Sequence, residues 1–324
     1  MRLPSILRTA APPVAIQITS RAVSGITLTR HGGAPVISAH AIEPLPAGIV
    51  TPSFTAQNIA DRAVVAGAVS RVAAKLGGRS RRAVLVLPDS VAKVSLVRLD
   101  AVPGRTDDLD QLIRWHVRKS APFPIEEAQV SYSPGAALPG GGREYVVALA
   151  RAQVVREFEG ACAEAGLHAG LVDLATLSLV NTVLIANGPV PGDWLLVHVT
   201  PDYGSIVILR GQELIFFRNR AEGSDESLPD LVHQTAMYYE DRLSGGGFAR
   251  VVVAGVGADG GAGGGASTTL ETLRRQVEAK LGVRTDTVDP QRVAKFSDRI
   301  AADPALTITI APLVGALAGA SADA

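Results

Sequence analysis

The sequence predicts an α/β chain made of two copies of one ribonuclease-H-like unit, with a cleft between them. One order of elements, strand–strand–strand–helix–strand, is written twice, first from Val14 to Leu87 and again from Trp194 to Ala254. The openings of the two copies overlay, Ile16-Gln17-Ile18-Thr19 on Val197-His198-Val199-Thr200. Each runs through a polar turn into a strand that ends in arginine. Of the 324 residues 47% are hydrophobic and 19% charged, enough apolar surface for a sizeable core and a length suited to about two domains.

In the first copy, Val14–Thr19, Val23–Arg30 and Pro35–Ile42 are short β-branched runs parted by turn residues such as His31-Gly32-Gly33. Ala60, Val64, Val65, Ala68, Val69 and Val72 recur at helical spacing, and Gly77-Gly78 closes that helix. Two apolar runs follow, Ala83–Leu87 and Val91–Leu99, split by Pro88-Asp89-Ser90. Thr106-Asp107-Asp108 then starts a helix expected to reach about Ser120. Arg143–Ala150 reads as a strand, Gln153–Ala165 as a helix, Leu171–Asp173 as a strand, and Leu174–Ala186 as a helix stopped by Asn187-Gly188-Pro189. The second copy has strands Trp194–Thr200, Tyr203–Arg210 and Glu213–Arg218, a helix Ser227–Leu243 and a buried-type strand Val251–Ala254. Gly135–Gly142 and Ala258–Ser267 read as loose surface connections.

Charge and cysteine content exclude several classes. Lys+Arg and Asp+Glu are both 31, which argues against a nucleic-acid partner, since gripping a polyphosphate needs a basic excess. The single cysteine, Cys162, rules out an intrachain disulfide, and the six histidines lack metal-ligand spacing, so no metal is expected. Met1–Ile18 is broken by Pro4, Pro12 and Pro13 and suits neither a membrane span nor a secretory signal, so a cytoplasmic location is expected.

Four stretches carry a family resemblance. They are Leu112–Glu127, with Ala121-Pro122-Phe123-Pro124 inside it; Val146–Arg151 with Ala165-Gly166-Leu167 and Val172-Asp173; Thr235–Glu240 with Val251–Gly255; and Ala311–Ala318. In this order they resemble the type IV pilus assembly protein PilM family and, more distantly, the cytoplasmic part of the secretion protein GspL. The resemblance implies an actin-like fold with a small α/β subdomain inserted in the first half. The expected division is 1–81 for the first half, 82–166 for the insertion, 167–192 for the return and 193–324 for a second half with a reduced upper subdomain. It also implies a scaffold, peripheral at the inner membrane, that docks the cytosolic tail of a PilN-like membrane protein. The pilus motor ATPase and further copies of this chain are secondary candidate partners. Trp115 and Phe123 are candidates for lining the groove that takes the tail; ordinary packing is the competing reading for both.

Actin-like ATPases hold phosphates with two hairpins, each offering an Asp for the metal and a Gly for close backbone approach. Here the first hairpin has Gln17 and Thr19, the second His198 and Thr200. An amide or neutral imidazole lacks the carboxylate charge, and Thr brings a Cβ where approach is wanted. Asp202 and Gly204 would restore half of the site only in a shifted register. The adenosine turn is half present, as Gly255 and Gly257. The expectation is therefore a pseudo-ATPase without ATP or Mg²⁺. The alternatives are a nucleotide-binding actin-like ATPase, and a GspL-like module that recruits a secretion ATPase. Three weaker patterns remain: a Ser/His/Asp grouping of His198, Asp202 and Ser205; the carboxylate pair Glu126-Glu127; and the basic cluster Lys75, Arg79, Arg81 and Arg82.

Overall fold

The computed structural model describes residues 11–77, 80–188, 190–221, 227–255 and 270–323. Strands β1 (Val14–Ile18), β2 (Ala22–His31) and β3 (Ala34–Pro44) form an antiparallel meander. Helix α1 (Arg62–Leu76) starts where the Asp61 side chain accepts a hydrogen bond from the Val64 amide at 3.2 Å, a cap worth about 1 kcal/mol. The chain then enters β4 (Arg82–Leu87), parallel to β1. Next come β5 (Ala92–Leu99), α2 (Thr106–Val117), β6 (Ala128–Ala137) and β7 (Arg143–Arg151), followed by α3 (Ala152–Glu164), β8 (His168–Leu174) and α4 (Ala175–Asn187). The second copy has β9 (Asp193–Val199), β10 (Tyr203–Arg210), β11 (Glu213–Ala221), α5 (Leu228–Arg242), β12 (Arg250–Gly255), α6 (Leu270–Leu281) and β13 (Thr285–Thr287). The short strand β14 (Lys295–Phe296) and helix α7 (Pro304–Asp323) follow.

The duplication is visible in the strand orders. One sheet runs β14-β3-β2-β1-β4-β8 and the other β11-β10-β9-β12-β13. In each, the central strand is antiparallel to the next strand of its hairpin and parallel to the strand after the helix. The inserted unit has its own sheet, β5-β7-β6, whose Val97, Leu99, Tyr145, Val147 and Leu149 form a small core with Ile113 and Val117 of α2.

Three boundaries differ from expectation. The insertion is narrower than 82–166: β4 pairs with β1 inside the central sheet, and α3 packs on α1, leaving roughly Ala92–Arg151 as the separate unit. An apolar run such as Ala83–Leu87 has the same composition in either sheet, so only its long-range partner decides. The segment 193–324 also divides, because β14 pairs with β3 and α7 lies over β1, β2 and β4. Gly135–Ala137, expected as part of a loop, continue β6 beside β7, and Pro139–Gly141 make a tight turn. The loop Ala258–Ser267 lies outside the described residues.

The packing joins the halves. Ile16 and Ile18 of β1, Leu85 of β4 and Leu179 and Val183 of α4 share one core with Trp194 and Leu196 of β9, Val207 of β10 and Val252 of β12. One described helix, Pro304–Ser321, is long and apolar enough to cross a membrane, but half of it is buried against the first-half sheet through Ile310, Leu313, Val314 and Leu317.

Candidate functional site

Strand alternation sets the site. On β1, Ile16 and Ile18 face the α1 side, so Gln17 joins Ala15 on the face covered by α7. On β9, Leu195 and Val197 face α5 and α6, so His198 joins Trp194 and Leu196 toward the first half. Gln17 is 7% and His198 4% exposed, and both line a cleft of about 230 Å³ between the halves, together with Ser24, Gly255, Thr309 and Pro312.

The hairpins are in the same register. Gln17 pairs with Ser24, and His198 with Ser205. Each turn is closed by its threonine. The Thr19 amide donates to Ala22 O at 3.0 Å, and its hydroxyl accepts from the amides of Arg21 (3.3 Å) and Ala22 (3.1 Å). The Thr200 amide donates to Tyr203 O at 2.9 Å, and its hydroxyl accepts from the amides of Asp202 (3.2 Å) and Tyr203 (3.1 Å). Two backbone amides of each turn are thus engaged by the turn's own threonine hydroxyl. Asp202 sits in the second turn, and its Oδ2 accepts from Ser20 Oγ of the first turn at 2.6 Å.

Beneath the cleft lies a polar cluster organised by Asp89, which is 0% exposed. Its carboxyl accepts from the Thr176 amide at 3.0 Å, the Thr176 hydroxyl, and Ser205 Oγ at 2.5 Å. Asn219 Nδ2 donates to Ser205 Oγ at 2.9 Å, and His198 Nδ1 lies 2.7 Å from Thr176 Oγ1. With the Thr176 hydroxyl donating to Asp89, its oxygen accepts from Nδ1–H, which assigns the tautomer. Burial lowers the His198 pKa to about 3, so the ring is neutral. Burial also raises the Asp89 carboxyl above its ordinary range, outweighing the opposing pull of its hydroxyl and amide donors. The grouping of His198, Asp202 and Ser205 is not linked as a nucleophilic triad: buried Ser205 donates to Asp89, not to His198, and Asp202 accepts from Ser20.

Gly255, at the end of β12, has φ +79°, and a Cβ there would fall 2.1 Å from Val199 O. Close approach to β9 therefore demands this glycine. Gly257 and Arg79 lie outside the described residues. Trp115 is 60% exposed on α2, whereas Phe123 is drawn in against Phe54 (centroids 5.2 Å apart) with Arg151 over its ring. The two do not share a ring contact. Glu127 pairs with Arg151, and Lys75 with Glu43; Arg81 Nη1 donates to Gly166 O at 3.4 Å.

The type IV pilus assembly protein PilM family model matches residues 15–242. The chain belongs to that family. A solved "PilM-PilN type IV pilus biogenesis complex" contains a chain similar to this one over 97% of its length and 99% of the other's, with a TM-score of 0.78 at 16% identity. A Bacteroides thetaiotaomicron protein described as having an actin-like ATPase fold and unknown function is similar over 88% of this chain and 94% of its own, with a TM-score of 0.52 at 9% identity. These likenesses establish the actin-like fold of this PilM-family chain. Asp89 was missed by sequence reasoning; the available signal was one carboxylate between two apolar runs.

Proposed function

We propose that this PilM-family protein is a scaffold of a pilus inner-membrane platform that docks the cytosolic tail of a PilN-like membrane protein and works without nucleotide. The observation that carries the nucleotide-free reading is that the Thr19 and Thr200 hydroxyls each take two backbone amides of their turn, donors that a phosphate would compete for. A cleft of about 230 Å³ supports it, being below the roughly 300–1,000 Å³ of small-molecule sites. So does the absence of a carboxylate at Gln17 and His198. The PilN-like partner rests on the likeness to the solved PilM-PilN complex. A cytoplasmic place beside the inner membrane follows from that partner. Exposed Trp115 on the inserted unit is the aromatic anchor we assign to the tail's groove, with half-buried Phe123 supporting the same subdomain.

Calorimetric titration with Mg·ATP is expected to give no binding; micromolar affinity overturns the nucleotide-free reading. A synthetic peptide of the PilN-like tail is expected to bind the full chain. Trp115→Ala should weaken it at least roughly tenfold without lowering the melting temperature. Unchanged affinity would remove Trp115 from the groove.

A further inference from the structure

The cleft is bridged at two depths. At its mouth Ser20 of the first half donates to Asp202 of the second. At its base the Asp89 carboxyl accepts from Thr176 of the first half and from Ser205 of the second, while His198 of the second half reaches Thr176. The donors and acceptors match in number: Asn219 donates to Ser205, Ser205 to Asp89, Thr176 to Asp89, and His198 to Thr176. The inner bridge is buried, where a carboxyl is retained only when its lone pairs are filled. The apolar core runs unbroken from one half to the other on the same side, so opening would expose Trp194 and Leu196 as well as break these bonds.

We infer that Asp89 and the Ser20–Asp202 pair form a latch, built from the chain's own side chains, that holds the two halves closed without any ligand. In an ATPase of this architecture, a nucleotide crossing the cleft would supply that closure. Here Asp202, an anion from one hairpin, is seated on the hydroxyl of the other, across the gap that a ligand would bridge. The inserted unit is not part of the latch. Its sheet leans on the inter-half core through Val94 and Val146, but the apolar side chains of its helix α2, Ile113 and Val117 among them, pack in the unit's own core, so α2 serves as an internal reference. The latch deepens the nucleotide-free reading but is tested without nucleotide or partner, so either can fail alone.

The test is hydrogen–deuterium exchange on the full chain, comparing the hairpin segments 17–24 and 196–206 with 106–117 of helix α2. Ser205→Ala removes the second half's donor to Asp89, and Asp202→Ala removes the outer acceptor; Asp202→Asn retains an acceptor for Ser20. The expected result is exchange about tenfold faster in both hairpins for Ser205→Ala, the effect of one buried hydrogen bond. A smaller acceleration is expected for Asp202→Ala and near-parental exchange for Asp202→Asn, with 106–117 unchanged throughout. Unchanged hairpins in Ser205→Ala, or equal acceleration in α2, would overturn the latch.

Discussion

Replacing Asp89 by alanine tests the buried cluster most directly. The substitution strips an acceptor from three donors: the Thr176 amide, the Thr176 hydroxyl and the Ser205 hydroxyl. The hydroxyls can turn. Thr176 Oγ1–H can point to His198 Nδ1 once the ring carries its proton on Nε2, and Ser205 can rotate while still accepting from Asn219. The Thr176 amide cannot turn, and neither the lost carboxyl volume nor that buried N–H is compensated. Against this, the cost of burying an anion disappears. The balance is a loss of about 2–4 kcal/mol, a large share of a typical domain's stability. Urea denaturation followed by circular dichroism at neutral pH measures it, and a loss below about 1 kcal/mol would refute the account. The sign of the pH dependence is fixed as well. Burial raises the folded-state pKa of Asp89 above the unfolded value, so the stability from its neutral form is present below the unfolded pKa and lost as pH rises through the folded one. Asp89→Asn, neutral throughout, should therefore show its largest deficit against the parent in acid and a smaller one toward neutrality.

Gly255→Ala should cost about 2 kcal/mol or more, from a left-handed backbone and a Cβ 2.1 Å from Val199 O; a melting temperature equal to the parent's would contradict the close approach. Tyr239→Phe removes hydroxyl contacts to Asp193 Oδ2 (2.8 Å) and Gly247 O (3.1 Å) and should cost about 1 kcal/mol in chemical denaturation, leaving the Arg210–Asp193 pair in place. Cys162 is buried, and its thiol is pushed up to about 12, first by burial and then by Glu159. Iodoacetamide should label it only after unfolding, as read by mass spectrometry; rapid labelling of the native protein would show that α3 opens.

Much of the architecture was legible because it is local. The β-branched runs, the helical spacing of Val65, Val69 and Val72, and the turn residues after β1 and β9 each report their own conformation through nearest neighbours. The two threonines that close the hairpins were found by overlaying the copies. What their hydroxyls do was not legible, since Thr in a turn can either obstruct a ligand or bind the backbone. Asp89 escaped for a different reason. Pro88-Asp89-Ser90 has the composition of an exposed turn, and its burial depends on Thr176 and Ser205, which are 87 and 116 residues away. The same distance problem misplaced β4 and α3 in the insertion and assigned α7 to the second half. Short apolar runs state that they are buried, but not by which sheet.

The position of α7 has a consequence during synthesis. The face of β1, β2 and β4 that carries Ala15, Ile26, Val84 and Val86 is complete early in translation, yet Leu306, Ile310, Leu313 and Leu317 cover it only after some two hundred further residues have emerged. Until then a nascent chain presents a bare, sticky slab of strand, which chaperones would have to shield. Shortening the chain from its carboxyl end should therefore harm the part made first, and such truncations are expected to collect in the insoluble fraction.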